Sequence, residues 1–288
     1  MYHVLFNPKA DSGHGEINAR KVLDLPNYKD EQFDFTDITT LDINEYIKNC
    51  PQEDKVIAAG GDGTLNHLIN DLNEESKERD IYFYPSGTGN DFIFDVVYPE
   101  TGKMNDIFHI NKYIQHLPKV YVNGMERYFI NGIGYGIDGY CCEEGDRLKA
   151  EGAEKINYAS IAIKGLFGKY KPTNATVVAD GKTYTFKKAL LTPTMKGRFY
   201  GGGMMATPAQ DRLDPEYKVT CMVYLKKTTL GTLMVFPSIF KGTHVKHKKL
   251  ITIIPCKEIT VKFEEPRALQ IDGETVLNVI TYTVKTQY

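Results

Sequence analysis

The chain has 288 residues, 42% of them hydrophobic and 25% charged, which is typical of a globular protein of about two domains and excludes a disordered or fibrous one. The formal net charge of -2 and the pI near 6.4 exclude a general nucleic-acid binder, because such proteins need a clustered excess of positive charge. Five scattered cysteines without a Cys-x-x-Cys pair, no N-terminal leader and no run near about 18 apolar residues predict a cytoplasmic protein with reduced thiols and no membrane span.

Short apolar strands alternate with amphipathic helical patterns in the N-terminal part of the chain. This alternation predicts a parallel sheet, whose ligands bind at the carboxyl ends of its strands. The loops Asn7–Gly15, Gly60–Asn66 and Pro85–Asp91 follow three of these strands and are therefore expected to line one crevice. The predicted strands lie at 2–6, 32–36, 55–59 and 81–84, and the predicted helices lie at 15–24, 42–49 and 64–76.

The loop Gly60–Asn66 reads Gly-Gly-Asp-Gly-Thr-Leu-Asn and follows an apolar strand. Its backbone N–H groups and the start of the next helix suit phosphate oxygens, and Ser86–Phe92 repeats the pattern of small residues, hydroxyls and an acid. The alternative is a tight glycine turn in which Asp62 caps a helix. Neither loop is a Walker A motif, so no P-loop lysine is available.

The second part of the chain, from about residue 119, consists of alternating, β-branched runs separated by turns. Asp180-Gly181 lies between two such runs and predicts a hairpin, and one helix is predicted at 154–166. We therefore expect an antiparallel β domain. The stretch Gly134–Gly139 matches G-x-G-x-x-G formally, but it lies outside the βαβ region, so a dinucleotide site is not expected there.

Each of two basic stretches could either contact a membrane or be a solvent-exposed loop. Lys241–Lys249 is the densest basic run and could meet anionic lipid or be a solvated loop between strands. Lys196–Tyr200 could form a cationic, aromatic edge of a lipid site or an exposed loop. The sequence leaves both alternatives open.

The motifs taken together resemble the diacylglycerol kinase catalytic family, which includes soluble bacterial lipid kinases and is related to sphingosine kinases. The resemblance covers nearly the whole chain, and its motifs occur in order. They are Asn7-Pro8 with Ser12-Gly13, Gly60–Asn66, Ser86–Phe92, Asn131-Gly132 with Gly134, Gly201–Met204, Phe240 with Gly242 and His244, and Gln270–Glu274.

The resemblance implies two domains and an ATP site. Residues 1–118 would form a Rossmann-like α/β domain similar to those of phosphofructokinase and NAD kinase, and 119–275 an antiparallel β-sandwich for the lipid substrate. The segment at about 276–288 would rejoin the first domain. By position in the family, the ATP-binding residues would be Asn7, Pro8, Lys9, Ala10, Asp11, Thr36, Gly60, Gly61, Asp62, Gly63, Thr64, Leu65, Asn66 and Thr88.

The same resemblance implies an ATP-dependent lipid kinase in which Glu274 accepts the proton of the lipid hydroxyl, with Asp272 and Asp62 as further catalytic residues. A carboxylate within reach of an alcohol suits this step of phosphoryl transfer. Taken without the other motifs, Asp272-Gly273 is more typical of a hairpin turn. Asp62 would position metal or phosphate.

The resemblance also implies Mg²⁺ as a cofactor, held by the Asp211 carboxylate and the Leu213 carbonyl. Arg212 stands where many bacterial members have glycine, and Val120–Asn123 lacks an acid that some members carry. These departures motivate the alternative of a non-catalytic lipid- or nucleotide-binding homologue. An NAD kinase is a second alternative, because it shares the Gly-Gly-Asp-Gly loop.

The partner implied by the resemblance is a lipid substrate at a membrane surface. Diacylglycerol, phosphatidylglycerol, ceramide-like lipids and isoprenoid alcohols all stay open, because acyl chains are recognised by the shape of an apolar cavity. No nucleic-acid partner is expected. A homodimer and a peripheral position at the inner face of the membrane are left open as well.

Overall fold

The computed structural model describes residues 1–153 and 156–286 of the chain. The chain folds into two compact units, Met1–Leu117 and Pro118–Tyr288. All five cysteines are free, and within the described ranges no helix is long and apolar enough to cross a membrane.

The first unit is built on a five-stranded sheet with the order β2-β1-β3-β4-β5. Strands β1 to β4 are parallel and β5 is antiparallel to β4, so the predicted parallel α/β arrangement is confirmed. The interior strand β1 is buried along its whole length, as is typical of a strand covered on both faces. The strands are β1 (Tyr2–Phe6), β2 (Phe33–Asp37), β3 (Lys55–Gly60), β4 (Ile81–Pro85) and β5 (Phe108–His109).

The helices of the first unit follow the predicted pattern with two differences. The helix expected at 15–24 ends in a 3₁₀ turn from residue 21, and the one expected at 64–76 is two helices. The second begins anew because the Asn73 side chain accepts the backbone N–H of Ser76 and caps it. The helices are α1 (Ala10–Gly13), α2 (Gly15–Arg20), α3 (Ile43–Asn49), α4 (Asp62–Asp71), α5 (Glu74–Lys77), α6 (Asp91–Val97) and α7 (Asn111–Ile114).

The second unit is a ten-stranded antiparallel sheet, as the prediction of an antiparallel β domain requires. Strand β9 pairs with both β10 and β16, so the two layers expected of a sandwich are parts of one sheet that curls back on itself. Two further short strands, β12 and β13, pair with each other. The strands are β6 (Lys119–Val122), β7 (Met125–Tyr128), β8 (Gly132–Tyr135), β9 (Thr173–Ala179), β10 (Lys182–Leu191), β11 (Thr194–Met195), β12 (Phe199–Tyr200), β13 (Met204–Met205), β14 (Val219–Leu225), β15 (Ile251–Cys256), β16 (Glu258–Ile271) and β17 (Glu274–Lys285).

The helices of the second unit differ most from the prediction. A 14-residue helix, α8, was not predicted, because its two glycines lower its helix propensity. Gly139 is required there, since a Cβ would lie 2.0 Å from the carbonyl oxygen of Ala268. Residues 154 and 155 of the helix predicted at 154–166 lie outside the described ranges; among the described residues, helix α9 begins at Tyr158 and is followed by a π-helical turn, Gly165–Lys169. The helices are α8 (Ile137–Ala150), α9 (Tyr158–Lys164) and α10 (Thr229–Val235).

The C-terminal segment belongs to the second unit and does not rejoin the first, which corrects the expectation for residues 276–286. Within β17 these residues pair with β16 on one side and with β6 on the other. The buried side chains of Val279, Tyr282 and Val284 are part of the core of this sheet, which holds the strand in place. Residues 287 and 288 lie outside the described ranges.

Candidate functional site

Three loops meet at the carboxyl edge of the first sheet, after the neighbouring strands β1, β3 and β4. The backbone N–H of Gly87 donates to the carbonyl of Gly60 at 3.0 Å, and the N–H of Asp62 donates to the carbonyl of Gly89 at 2.8 Å. The Thr88 hydroxyl donates to the Asp11 carboxylate at 2.6 Å. The predicted convergence of these loops is therefore present within the first unit.

Two glycines are required where the second and third loops touch. A Cβ on Gly61 would lie 2.7 Å from the carbonyl oxygen of Gly89, and a Cβ on Gly87 would lie 2.4 Å from the amide nitrogen of Gly61. By contrast, a Cβ on Gly63 or Gly89 would meet no atom within 4 Å. Gly61 and Gly87 therefore let the loops pack together, and Gly63 and Gly89 leave open space beside the loop backbones.

Asp62 is nearly buried and fixes the third loop. Its carboxylate accepts the N–H groups of Asp91 at 2.8 Å and Phe92 at 3.2 Å, in the first turn of α6. The Asp62 side chain therefore caps a helix, which was the alternative interpretation of this residue, although the helix is α6 and not its own. Thr64 lies beside Gly60 and is buried with its neighbour Leu65.

The first loop is held by its own polar side chains. The Asn7 side chain accepts the N–H of Lys9 at 2.9 Å, while Asn18 donates to the other Asp11 oxygen at 2.7 Å. The hydrogen bond from Thr88 holds the pKa of Asp11 below its usual value. Asp11 and Ser12 have positive φ angles of 50° and 57°, so the chain turns sharply at the sheet edge.

The remaining predicted ATP-binding residues lie at different depths. Pro8 and Ala10 are half-buried and Lys9 is exposed, while Asn66 is buried and in contact with Asn70. Thr36 lies near the end of β2, where its hydroxyl is 3.4 Å from the Tyr46 hydroxyl. Thr36 therefore lies on β2 and outside the three loops.

Glu274 follows a two-residue turn in the second unit. Asp272 and Gly273 have φ angles of 46° and 96°, and Ile271 pairs with Glu274 across the turn, so the hairpin interpretation of this segment is correct. The Glu274 carboxylate forms an ion pair with Arg127, which extends from β7.

Asp272 holds a neighbouring strand end. Its carboxylate accepts three backbone N–H groups, from Ile130 at 2.6 Å and from Asn131 and Gly132 at 2.9 Å each. A carboxylate that receives several backbone N–H bonds is strongly anchored in its ionised form. Asp272 therefore fixes the chain that leads into β8. It lies two positions before Glu274 in the sequence.

The predicted metal position does not fit a divalent cation. The Asp211 carboxylate accepts the N–H of Leu213 at 2.8 Å, and the described residues contain no group of three or more His, Cys, Asp or Glu side chains that could hold a metal ion. The buried Arg212 guanidinium occupies this region and donates to the Ile130 carbonyl at 2.5 Å and to the Asn131 side chain at 2.6 Å.

A second cation, Lys196, is buried beside Arg212. Only 2% of its surface is exposed. Burial lowers the pKa of Lys196 to about 8, repulsion from Arg212 acts in the same direction, and Asp214 and Asp211 oppose the shift. Positive charge at this position thus comes from two side chains of the protein.

Two polar residues near these motifs, Asp138 and Arg127, were not predicted from the sequence. Asp138, on α8, is buried, which raises its pKa to about 6, and it accepts the Tyr200 hydroxyl at 3.1 Å. Its signal was Gly134, where a Cβ would lie 1.8 Å from the Asp138 carboxylate. Arg127, the partner of Glu274, gave no signal, because nothing in the sequence relates two residues that are 147 positions apart.

Two family models match the chain. Residues 1–118 match the diacylglycerol kinase catalytic domain, and residues 131–285 match the "YegS C-terminal NAD kinase beta sandwich-like domain". The two matches divide the chain in the same order as the α/β and antiparallel β units.

The chain is similar to several named bacterial proteins. It is 31% identical to a diacylglycerol kinase of Staphylococcus carnosus (strain TM300) over 79% of this chain and 72% of that protein. It is 24% identical to the "Putative lipid kinase YtlR" of Bacillus subtilis (strain 168), over 91% of this chain and 80% of that protein. A crystal structure of "a putative diacylglycerol kinase from Bacillus anthracis str. Sterne" has the same fold, with a TM-score of 0.67, 18% identity and coverage of 100% and 95% of the two chains.

Proposed function

Because the chain belongs to the diacylglycerol kinase catalytic domain family, we propose that it is an ATP-dependent lipid kinase that phosphorylates a hydroxyl group of a diacylglycerol-like lipid. The observation that carries the proposal is the edge of three hydrogen-bonded loops in the first unit. It is rigid where Gly61 and Gly87 pack together and open at Gly63 and Gly89. Such an edge can accept a bulky anionic group without rearranging.

The ATP phosphates would bind at the N-terminus of α4. The amides of Gly63 and Thr64 lie in the first helical turn, where no intrahelical acceptor exists, and the helix dipole favours negative charge there. The missing side chain of Gly63 lets a phosphate oxygen approach the backbone. ATP would enter as its magnesium complex, so this cation belongs to the substrate and needs no resident site at Asp211.

Glu274 would accept the proton from the lipid hydroxyl. The hydroxyl oxygen then bonds to the γ-phosphorus of ATP, the bond from that phosphorus to the β–γ bridging oxygen breaks, and ADP leaves with the electron pair. Arg127 would hold the Glu274 carboxylate in one orientation. Asp272 would act indirectly, by fixing the strand end beside it.

The proposal is tested by replacing Glu274 with glutamine, which keeps the size of the side chain and its hydrogen bond to Arg127. We expect transfer of labelled phosphate from ATP to a lipid extract to fall about 10²- to 10⁴-fold, the usual contribution of a general base. ATP binding, measured by calorimetry, should be unchanged, because Glu274 lies outside the unit that carries the three loops.

Glu258→Gln is the matched control, since Glu258 is an exposed acid on β16 that pairs with Lys285. It should retain wild-type transfer. A Glu274→Gln variant as active as the wild type would remove Glu274 from the mechanism. Phosphorylation of NAD and of no lipid would favour the NAD kinase alternative.

A second candidate function is a homologue that binds nucleotide or lipid without transferring phosphate. Arg212 and Lys196 favour it, because they bring positive charge to a position where the resemblance implies a metal ion. This candidate predicts that the wild-type chain binds ATP in calorimetry and transfers labelled phosphate to no lipid in the same extract.

A further inference from the structure

One side of the second unit carries an unusual concentration of exposed apolar side chains. They lie on α9, the π-helical turn Gly165–Lys169, α10 and the 3₁₀ segment Phe236–Lys241. We call these residues the apolar face. Its members are Ile163, Phe167, Leu230, Met234 and Phe240, with exposed fractions of 50%, 68%, 70%, 74% and 49%.

The elements that carry the apolar face are neighbours in the fold. α10 contacts both the π-helical turn and the 3₁₀ segment, and the Lys226 ammonium donates to the Leu166 carbonyl at 2.8 Å. The inward sides of these elements share one hydrophobic core. Its members from these elements include Ile161, Leu166, Val235 and Ile239.

The exposed side chains of α10 lie on one side of that helix. Leu230 and Met234 are four residues apart, a spacing that places side chains on the same helical face, while Val235 is buried. A surface helix normally turns polar residues outward. α10 is therefore apolar toward solvent as well as toward its core.

Positive charge predominates in the segments that carry the apolar face. Residues 156–171 and 226–250 contain nine lysines and no Asp or Glu, in a chain whose formal net charge is -2. The acid that acts on Lys164 and Lys169 from a packed neighbour is Glu144 on α8, and it is paired with Arg147. The basic run Lys241–Lys249 of the sequence analysis lies at the end of this region.

We propose that the apolar face and the lysines around it form a docking surface for an anionic phospholipid bilayer. A bilayer offers negative headgroups to the lysines and, just beneath them, an apolar layer to Phe167, Leu230 and Met234. The absence of acids from 156–171 and 226–250 fits this occupant. The proposal goes beyond the kinase activity and does not depend on it, because docking requires neither ATP nor Glu274.

A second copy of the chain is a poorer occupant. Self-association through this surface would bring two sets of lysines together without any acid from these segments to neutralise them, and like charges across an interface oppose binding. An acidic protein would match the lysines, but its charged groups would not match the exposed Phe167 and Leu230.

The test is cosedimentation of the whole chain with phosphatidylcholine vesicles that contain or lack phosphatidylglycerol. We expect binding to the anionic vesicles alone, and weaker binding at high salt. Leu230→Ser/Met234→Ser should lower the partition coefficient about tenfold by removing apolar burial, and Lys227→Glu/Lys241→Glu should lower it by at least as much.

The matched controls remove equal apolarity and charge elsewhere on the second unit. They are Leu277→Ser/Ile280→Ser on β17 and Lys182→Glu/Lys262→Glu on β10 and β16, and both should bind vesicles within twofold of the wild type. Circular dichroism of each variant checks its fold. Equal binding by the face variants and their controls would overturn the proposal. So would a concentration-dependent dimer in the wild type that the face variants abolish, with no vesicle binding.

Discussion

Two Asp-Gly pairs, Asp62-Gly63 in the first unit and Asp272-Gly273 in the second, anchor the chain in the same way. Each aspartate accepts backbone N–H groups from a separate segment: two from α6 at Asp62 and three from the entry to β8 at Asp272. In each case the residue proposed to act, Gly63 or Glu274, lies one or two positions after the anchored aspartate. The aspartate of an Asp-Gly motif can therefore have a structural role, through the backbone N–H groups that it accepts.

Asp272→Asn gives the largest effect on stability that this comparison predicts. Asparagine tolerates the positive φ of residue 272, so the change isolates the lost charge and acceptor. One of the three N–H groups then faces an amide NH₂, and the other two lose a charge-assisted bond. We expect the free energy of unfolding to fall by about 2–4 kcal/mol, measured by urea denaturation followed by circular dichroism.

Two further aspartates provide comparisons for the stability loss expected of Asp272→Asn. Asp180→Asn is the control, because Asp180 has the same positive φ and accepts the N–H groups of Lys257 and Glu258, but on an exposed turn. It should cost less than about 1 kcal/mol. Asp62→Asn, with two buried N–H groups, should fall between the two. Equal costs for Asp180→Asn and Asp272→Asn would contradict the anchoring role of Asp272.

Lys196 lies at the other side of the strand end that Asp272 anchors, where its backbone N–H donates to the Asn131 carbonyl. The pKa of its side chain is lowered from 10.5 to about 8, so between these values the unfolded chain holds a proton that the folded chain has released. The free energy of unfolding therefore rises with pH between about 8 and 10.5, and the full cost of burying the charged Lys196 is present below pH 8. Lys196→Met should raise the free energy of unfolding by up to about 3 kcal/mol at pH 7.

The measurement is the difference in melting temperature between Lys196→Met and the wild type at several pH values. The advantage of the variant should disappear as the pH rises through 8 toward 10.5. Lys182→Met, at the exposed start of β10, is the control and should show no such trend. A constant difference across the pH range would contradict the buried charge of Lys196.

The α/β fold of the first unit was predictable because its strands and turns are local patterns. Apolar runs such as 55–59, followed by glycine turns, specify a parallel sheet and the edge where its loops meet. The antiparallel character of the second unit was predictable in the same way. α8 was not, because Gly139 and Gly145 weaken its helical pattern and its glycine at 139 is required by a contact with Ala268.

The candidate site was predictable in its location and less so in its contacts. The motifs identified the loops and the turn before Glu274, but not that Arg127 pairs with Glu274 or that Asp62 caps α6. Those contacts join residues far apart in the chain, and a single sequence contains no periodicity that relates them. The burial of Lys196 and Arg212 was not predicted, because lysine and arginine are usually exposed and only the fold shows where they are not.

Within one loop, Gly61 is a packing position and Gly63 is the position proposed to bind phosphate. Substitutions of these two glycines have the smallest expected effect on stability. Gly61→Ala places a methyl group 2.7 Å from the Gly89 carbonyl, so one loop must shift, at a cost of about 1–3 kcal/mol. Gly63→Ala meets no atom and lies in the first turn of α4, so stability should change by less than about 0.5 kcal/mol.

The more stable variant, Gly63→Ala, should lose more ATP affinity than the less stable variant, Gly61→Ala. The Gly63 methyl group would occupy the open space proposed for a phosphate, so calorimetry should show an ATP affinity about tenfold or more below that of the wild type, although the protein is as stable. Gly61→Ala, in contrast, should lose affinity only in proportion to its loss of folded protein. If Gly63→Ala bound ATP as tightly as the wild type, the α4 N-terminus would not be the phosphate site, and the three-loop edge would serve the fold alone.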